Sequence, residues 1–193
     1  MRFNSIAQYS NYGMRALNLS ESFWENPDVP TAPFELIRFS TFLGILVFAG
    51  YLFSYSVVGR VWNYWPFIQS TLSIVRGIMC AGLQWVFFAT FPVLSSLILD
   101  SLFVKERPSP WLNSWVVVCT YSATPLFIAA LFVGIPFFGR IAAVLGSATF
   151  IYLLFYGYRN YCRHSIVRSA LLTLLVFLLF AVIRQMFVYV IGF

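Results

Sequence analysis

The sequence predicts an all-α polytopic membrane protein, a bundle of five transmembrane helices. Three observations carry that expectation. Of 193 residues, 61% are hydrophobic and only 9% are charged, whereas soluble domains carry roughly 25% charged residues; so few charges could not cover a soluble fold of this size. The apolar residues gather into five long runs separated by short polar stretches, giving a mean hydropathy of +0.84. No run shows the alternating pattern, roughly ten residues per segment, of a membrane barrel. Aromatics reach 20% of the chain, led by 22 Phe, a composition suited to lipid-facing surface and interfacial belts.

Residues 1–35 are polar enough to leave the bilayer and form a cytoplasmic amino-terminal segment; residues 36–193 form the membrane domain. The segment lacks the early apolar stretch of a secretory signal. Arg2, Arg15 and the lack of acids before Glu21 suit an organellar presequence, but Glu21, Glu25 and Asp28 follow closely and argue against it. Ser22 and Glu25 are spaced as a capping box. The segment is then either a short interfacial helix anchored by Phe23 and Trp24, or a disordered tail. The sequon Asn18-Leu19-Ser20 is chance text in a cytosolic segment.

The five spans are expected at about 36–58, 72–99, 111–135, 139–158 and 166–191. A helix needs about 20 residues to cross a core of roughly 30 Å. Pro33 and Glu35 open the first span: a proline in the first turn loses no hydrogen bond, and a carboxylate suits the positive end of the helix dipole. The second and fifth are longer than the core requires and should tilt or extend beyond it, with Pro92 the expected kink in the second. No internal repeat is evident, so the inverted-repeat signature of many secondary transporters is missing.

Charge sets the orientation. Arg2, Arg15, Arg38, Lys105, Arg107, Arg159, Arg163 and Arg168 fall on the amino-terminal side, against Arg60, Arg76, Arg140 and Arg184 on the other. The positive-inside rule places the amino terminus in the cytoplasm and the carboxyl terminus outside; the expected location is a bacterial inner membrane, with an organellar membrane the lesser alternative. The net charge of +6 is thus a topology signal and implies no nucleic acid. Trp62, Tyr64 and Trp65 fall at the outer interface, with Trp111, Tyr158 and Tyr161 at the inner one.

Catalytic chemistry is sparse. Cys80, Cys119 and Cys162 have no CxxC spacing and imply no disulfide framework; they read as small apolar residues in or beside helices. His164 is the single histidine and cannot complete a haem or zinc site with Cys162 alone. Asp100 closes the second span beside Lys105, Glu106 and Arg107, where the helix dipole disfavours a carboxylate, so a basic partner is expected. General acid–base and covalent catalysis need groups held together at one place, and the sequence offers none; no enzyme, no cofactor and no metal are expected. Arg184 and Arg76 sit inside spans. Each either snorkels to the surface or holds an anionic lipid headgroup or a partner's carboxylate. Arg159, Arg163 and Arg168, around His164, are a topology signal and a candidate anionic-lipid patch.

The most distinctive text is "TYSATPLFIAALFVGIPFFGR", Thr120 to Arg140. Pro125 removes a backbone hydrogen bond inside the third span and should kink it, with Ser122 and Thr124 returning hydrogen bonds to the freed carbonyls. Pro136, between Gly134 and Gly139, should close an outer hairpin. Tyr121-Ser122-Ala123-Thr124-Pro125, then Ile135-Pro136 and Gly139, then Tyr152-Leu153-Leu154-Phe155-Tyr156-Gly157, resembles the Yip (Ypt-interacting protein) family of integral membrane proteins, in its bacterial-type branch. The block covers about forty residues, a fifth of the chain. The resemblance implies a five-span membrane protein; the family's eukaryotic members act through protein contacts, and for the bacterial-type branch the resemblance supplies no defined activity. The eukaryotic members' "DLYGP" is absent and "VKERPSP" stands where "FGG" is expected, so no small-GTPase partner is carried over.

Two functional expectations follow. The first is a non-enzymatic membrane scaffold or accessory subunit acting through helix–helix and lipid contacts, with a membrane-protein partner or a second copy of itself. Gly44, Gly50, Gly77, Gly82 and the series Ala142, Ala143, Gly146, Ser147 suit close helix approach, within the bundle or across an interface. The alternative is a small transporter or channel with a polar site at the kinked third span, lined by Tyr121, Ser122 and Thr124.

Overall fold

The computed structural model describes residues 10–11, 13–15, 23–24, 32–53, 71–103, 110–132, 135 and 137–191. Among them the regular structure is all helical. In chain order the main elements are α1 (Pro33–Phe53), α2 (Thr71–Phe103), α3 (Pro110–Ser122), α4 (Thr124–Ala130), α5 (Phe138–Tyr156), a π-helical turn (Gly157–Tyr161) and α6 (Ile166–Ile191). Three described helices are long and apolar enough to cross a membrane: Phe34–Phe53, Phe138–Tyr161 and Ile166–Ile183. The apolar stretch Ser114–Ala130 is shorter. Helix α2 runs through Pro92 as one element of 33 residues, about 50 Å at 1.5 Å per residue.

Local chemistry explains the ends. Helix α1 starts with Pro33 and carries Glu35 in its first turn, where Glu35 pairs with Arg38 at 3.2 Å and the Arg38 guanidinium covers the Phe34 ring at 4.2 Å. Helix α4 stops at Ala130, five residues short of the expected 135. There Leu131 and Phe132 donate back three residues, to Ile128 and Ala129 (both 3.1 Å), tightening the last turn until it stops. The connection to α5 is closed by Gly139 N–H donating to the Ile135 carbonyl at 2.7 Å, with Phe137 in the left-handed region at φ 67°. Pro136 itself lies outside the described residues. Beyond α5, the π turn ends in a second left-handed residue, Arg163 (φ 55°), and His164 N–H reaches back to the Tyr158 carbonyl. This resembles the usual left-handed helix stop, widened by the π turn. Ser165 then caps α6, its Oγ accepting from Arg168 N–H at 3.4 Å.

Packing is led by α1 along α2 and by α4 against α5. Gly44 lies against the Trp85 indole, which a Cβ would overlap, and Gly50 lies against the backbone of Ala130 and Leu131. Four phenylalanines join α2, α5 and α6: the Phe180 ring lies 5.6 Å from Phe87, 5.1 Å from Phe91 and 5.5 Å from Phe150. All four are buried. Aromatic pairs at such distances add about 0.5–1.5 kcal/mol each beyond area burial.

Candidate functional site

The third apolar run breaks at Ala123, two residues before Pro125. Ala123 N–H donates to the Cys119 carbonyl at 3.1 Å, and the Ala123 carbonyl then accepts from Leu126 (2.9 Å) and Phe127 (3.3 Å). Pro125 has no N–H to continue the ladder, so α4 restarts with the proline in its first turn. The sequence thus foresees the interruption, and the structure places it as a single turn residue between α3 and α4.

Tyr121, Ser122, Thr124 and Pro125 are all buried at this break. The expected local hydrogen bonds are not made: Ser122 Oγ and Thr124 Oγ1 have no partner among the described residues. A buried hydroxyl without a partner costs about 1–3 kcal/mol. Gly139 lies at the start of α5.

The break is covered by the amino-terminal segment. Gly13 sits over Thr124, where a Cβ would stand 3.7 Å from Thr124 Cγ2. The Phe23 ring lies 6.1 Å from Tyr121, which also packs on Phe39 of α1 at 4.9 Å. Trp24 is only 1% exposed; its ring edge would lie 3.3 Å from a Cβ on Gly157, and Val118 fills the other side. The expectation of a lipid-interface anchor is therefore corrected for Trp24, which inserts into the protein. The capping pair Ser22 and Glu25 lies outside the described residues.

Tyr158 is corrected in the same way. Expected in an interfacial belt, it is fully buried, and its hydroxyl meets Cys119 Sγ at 3.3 Å. The π turn carries it inward, since wider winding changes which residues face the bundle. Cys119 and Cys162 are both buried and neither is in a disulfide among the described residues, and burial pushes the Cys162 thiol well above its ordinary range. This cluster escapes sequence reasoning; its one signal is Gly157, the last residue of the "YLL" motif.

The arginines separate. Arg159 and Arg163 are exposed at the α5–α6 turn and Arg168 is half-buried on α6. The side chains of Arg76, Arg184 and Asp100 lie outside the described residues, as do Lys105, Glu106, Arg107, Trp62, Tyr64 and Trp65. No family model, curated protein or solved structure matches the chain.

Proposed function

We propose that this chain is a non-enzymatic membrane scaffold or accessory subunit of the Yip type, crossing the bilayer five times. In this reading α1, α2, the α3–α4 pair, α5 and α6 are the spans, with the amino terminus in the cytoplasm of a bacterial inner membrane. It binds a membrane-protein partner, or a second copy of itself, through an outward helix face.

The observation that carries the reading is Gly82. Gly44, Gly50, Gly146 and Gly157 each meet a neighbour so closely that a Cβ would need something to shift. Gly82 meets nothing within 4 Å among the described residues, and Ile78, Met79, Leu83 and Val86 around it are exposed. Glycine inside a helix costs about 1 kcal/mol relative to alanine, and the bundle gains no packing from it here. Between helices in lipid, a small residue is what permits close approach of another backbone. Replacing Gly82 by Leu should abolish recovery of the partner or dimer after mild solubilisation, with no loss of thermal stability. Recovery of wild type as a bare monomer in nanodiscs would sink the reading.

A transport reading draws on the two unpartnered hydroxyls, Ser122 Oγ and Thr124 Oγ1, at a broken helix. Their complete burial beneath Gly13 and Phe23 favours the scaffold. Solute flux into proteoliposomes that is lost in the Thr124→Val, Tyr121→Phe double variant would reverse that preference.

A further inference from the structure

Helices α5 and α6 part along one side to leave an apolar groove of about 450 Å³, lined by Ala148, Ile151, Phe155, Ala170, Thr173 and Phe177 among others. We propose that this groove holds one acyl chain of an anionic phospholipid, whose phosphate is bound by Arg159 and Arg163. The inference rests on the reading of the protein as a bilayer-embedded bundle and adds a defined ligand to it.

The register supports the placement. Positions 148, 152 and 155 are spaced by four and three, so they share one helical face, and Arg159, in the π-helical turn that follows, lies one wider turn beyond Phe155. The helices run antiparallel out of the short 162–165 turn, so Phe155 stands level with Ala170, and these two are the lining residues nearest that turn. Arg159 and Arg163 are both exposed there. Arg163 has a left-handed backbone. Arg168 is excluded: two residues before Ala170, it lies roughly 160° around α6 from it, at about 100° per residue.

The wall is uneven in a way that suits a chain. Ala148 and Ala170 provide depth, while Phe155 and Phe177 flank it. Thr173 is 95% buried by its 5% exposure, and its Oγ1 has no partner among the described residues. Helix surfaces in lipid gain little from apolar contact alone, because lipid tails are equally apolar. The groove therefore sets position and the two arginines set headgroup preference, as basic pockets between spans do for anionic headgroups.

The test is native mass spectrometry of the full chain after reconstitution in vesicles of equal parts phosphatidylglycerol and phosphatidylcholine. Wild type should retain phosphatidylglycerol over phosphatidylcholine by about twenty-fivefold, at roughly fivefold per arginine near the surface. The Arg159→Gln, Arg163→Gln double variant should show no preference. Ala170→Phe, and independently Ala148→Phe, should lower retention of both lipids while leaving unfolding unchanged. Equal retention of the two lipids by wild type would overturn the inference, as would a preference that survives loss of both arginines. So would displacement of the lipid by inorganic phosphate with no effect of either groove-filling variant. Release of the protein from membranes by alkaline carbonate would instead remove the bilayer reading itself, so the two failures are distinguishable.

Discussion

Gly146 of α5 lies against the carbonyl of Pro125 in α4. A Cβ there would stand 3.0 Å from that oxygen and 2.9 Å from Ala129 Cβ. The broken helix and its neighbour thus meet backbone to backbone at the one place where the ladder is interrupted. Gly146→Val should destabilise the bundle by about 1–3 kcal/mol, the usual cost of overpacking. Ala143→Val, on the exposed face of the same helix, should stay within about 0.5 kcal/mol. Unfolding in mixed micelles compares the two.

The hydroxyls at the break lead to an unusual expectation. Since Ser122 Oγ and Thr124 Oγ1 have no partner among the described residues, Thr124→Val removes an unsatisfied group and keeps the shape. It should be neutral or raise stability by about 1 kcal/mol. A loss of stability beyond that would mean that a hydrogen bond exists there in the membrane.

Trp24 tests the cover. Trp24→Ala should cost about 3 kcal/mol, as removal of a fully buried aromatic does. It should also release the amino-terminal segment, read as faster trypsin cleavage after Arg15. Unchanged cleavage would mean that the segment is held by other contacts.

Cys162 gives a pH signature. Burial raises its thiol in the folded protein, while an unfolded thiol ionises near 8.5. Below about pH 8.5 both states hold the proton and the contribution to stability is fully present. As pH rises above that value only the unfolded state ionises, and stability is lost progressively toward the raised folded value. Wild type should therefore lose more stability than Cys162→Ala between about pH 8.5 and 10.5. Folded Cys162 should also resist maleimide over that range.

Much of the fold was legible because hydropathy alone marks helices in lipid. Helix α6 spans 166–191 as expected, since its run is apolar throughout and Ser165 marks its start. The end of α4 was not, because Leu131 and Phe132 stay apolar after the α-helical bonding has given way to three-residue bonds. Pro125 announced a break, yet its consequence for Ser122 and Thr124 depended on tertiary contacts. Trp24 and Tyr158 were misplaced for one reason. An aromatic beside a polar stretch reads as interfacial, and nothing local reveals that Gly157 and Cys119 stand ready to receive them. The arginines at the α5–α6 turn were visible as a group; that Arg159 lies one wider turn beyond a groove and Arg168 faces elsewhere needed the helix register.

The docking of Trp24 on Gly157 also sets an order of assembly. Trp24 leaves the ribosome early, and Gly157 follows roughly 130 residues later, on the order of ten seconds at ordinary synthesis rates. Until then Trp24 lacks part of its seat, although Phe23 and Gly13 can already meet Tyr121 and Thr124. The cover over the break is therefore completed only when Trp24 folds back onto a helix made about 130 residues after it.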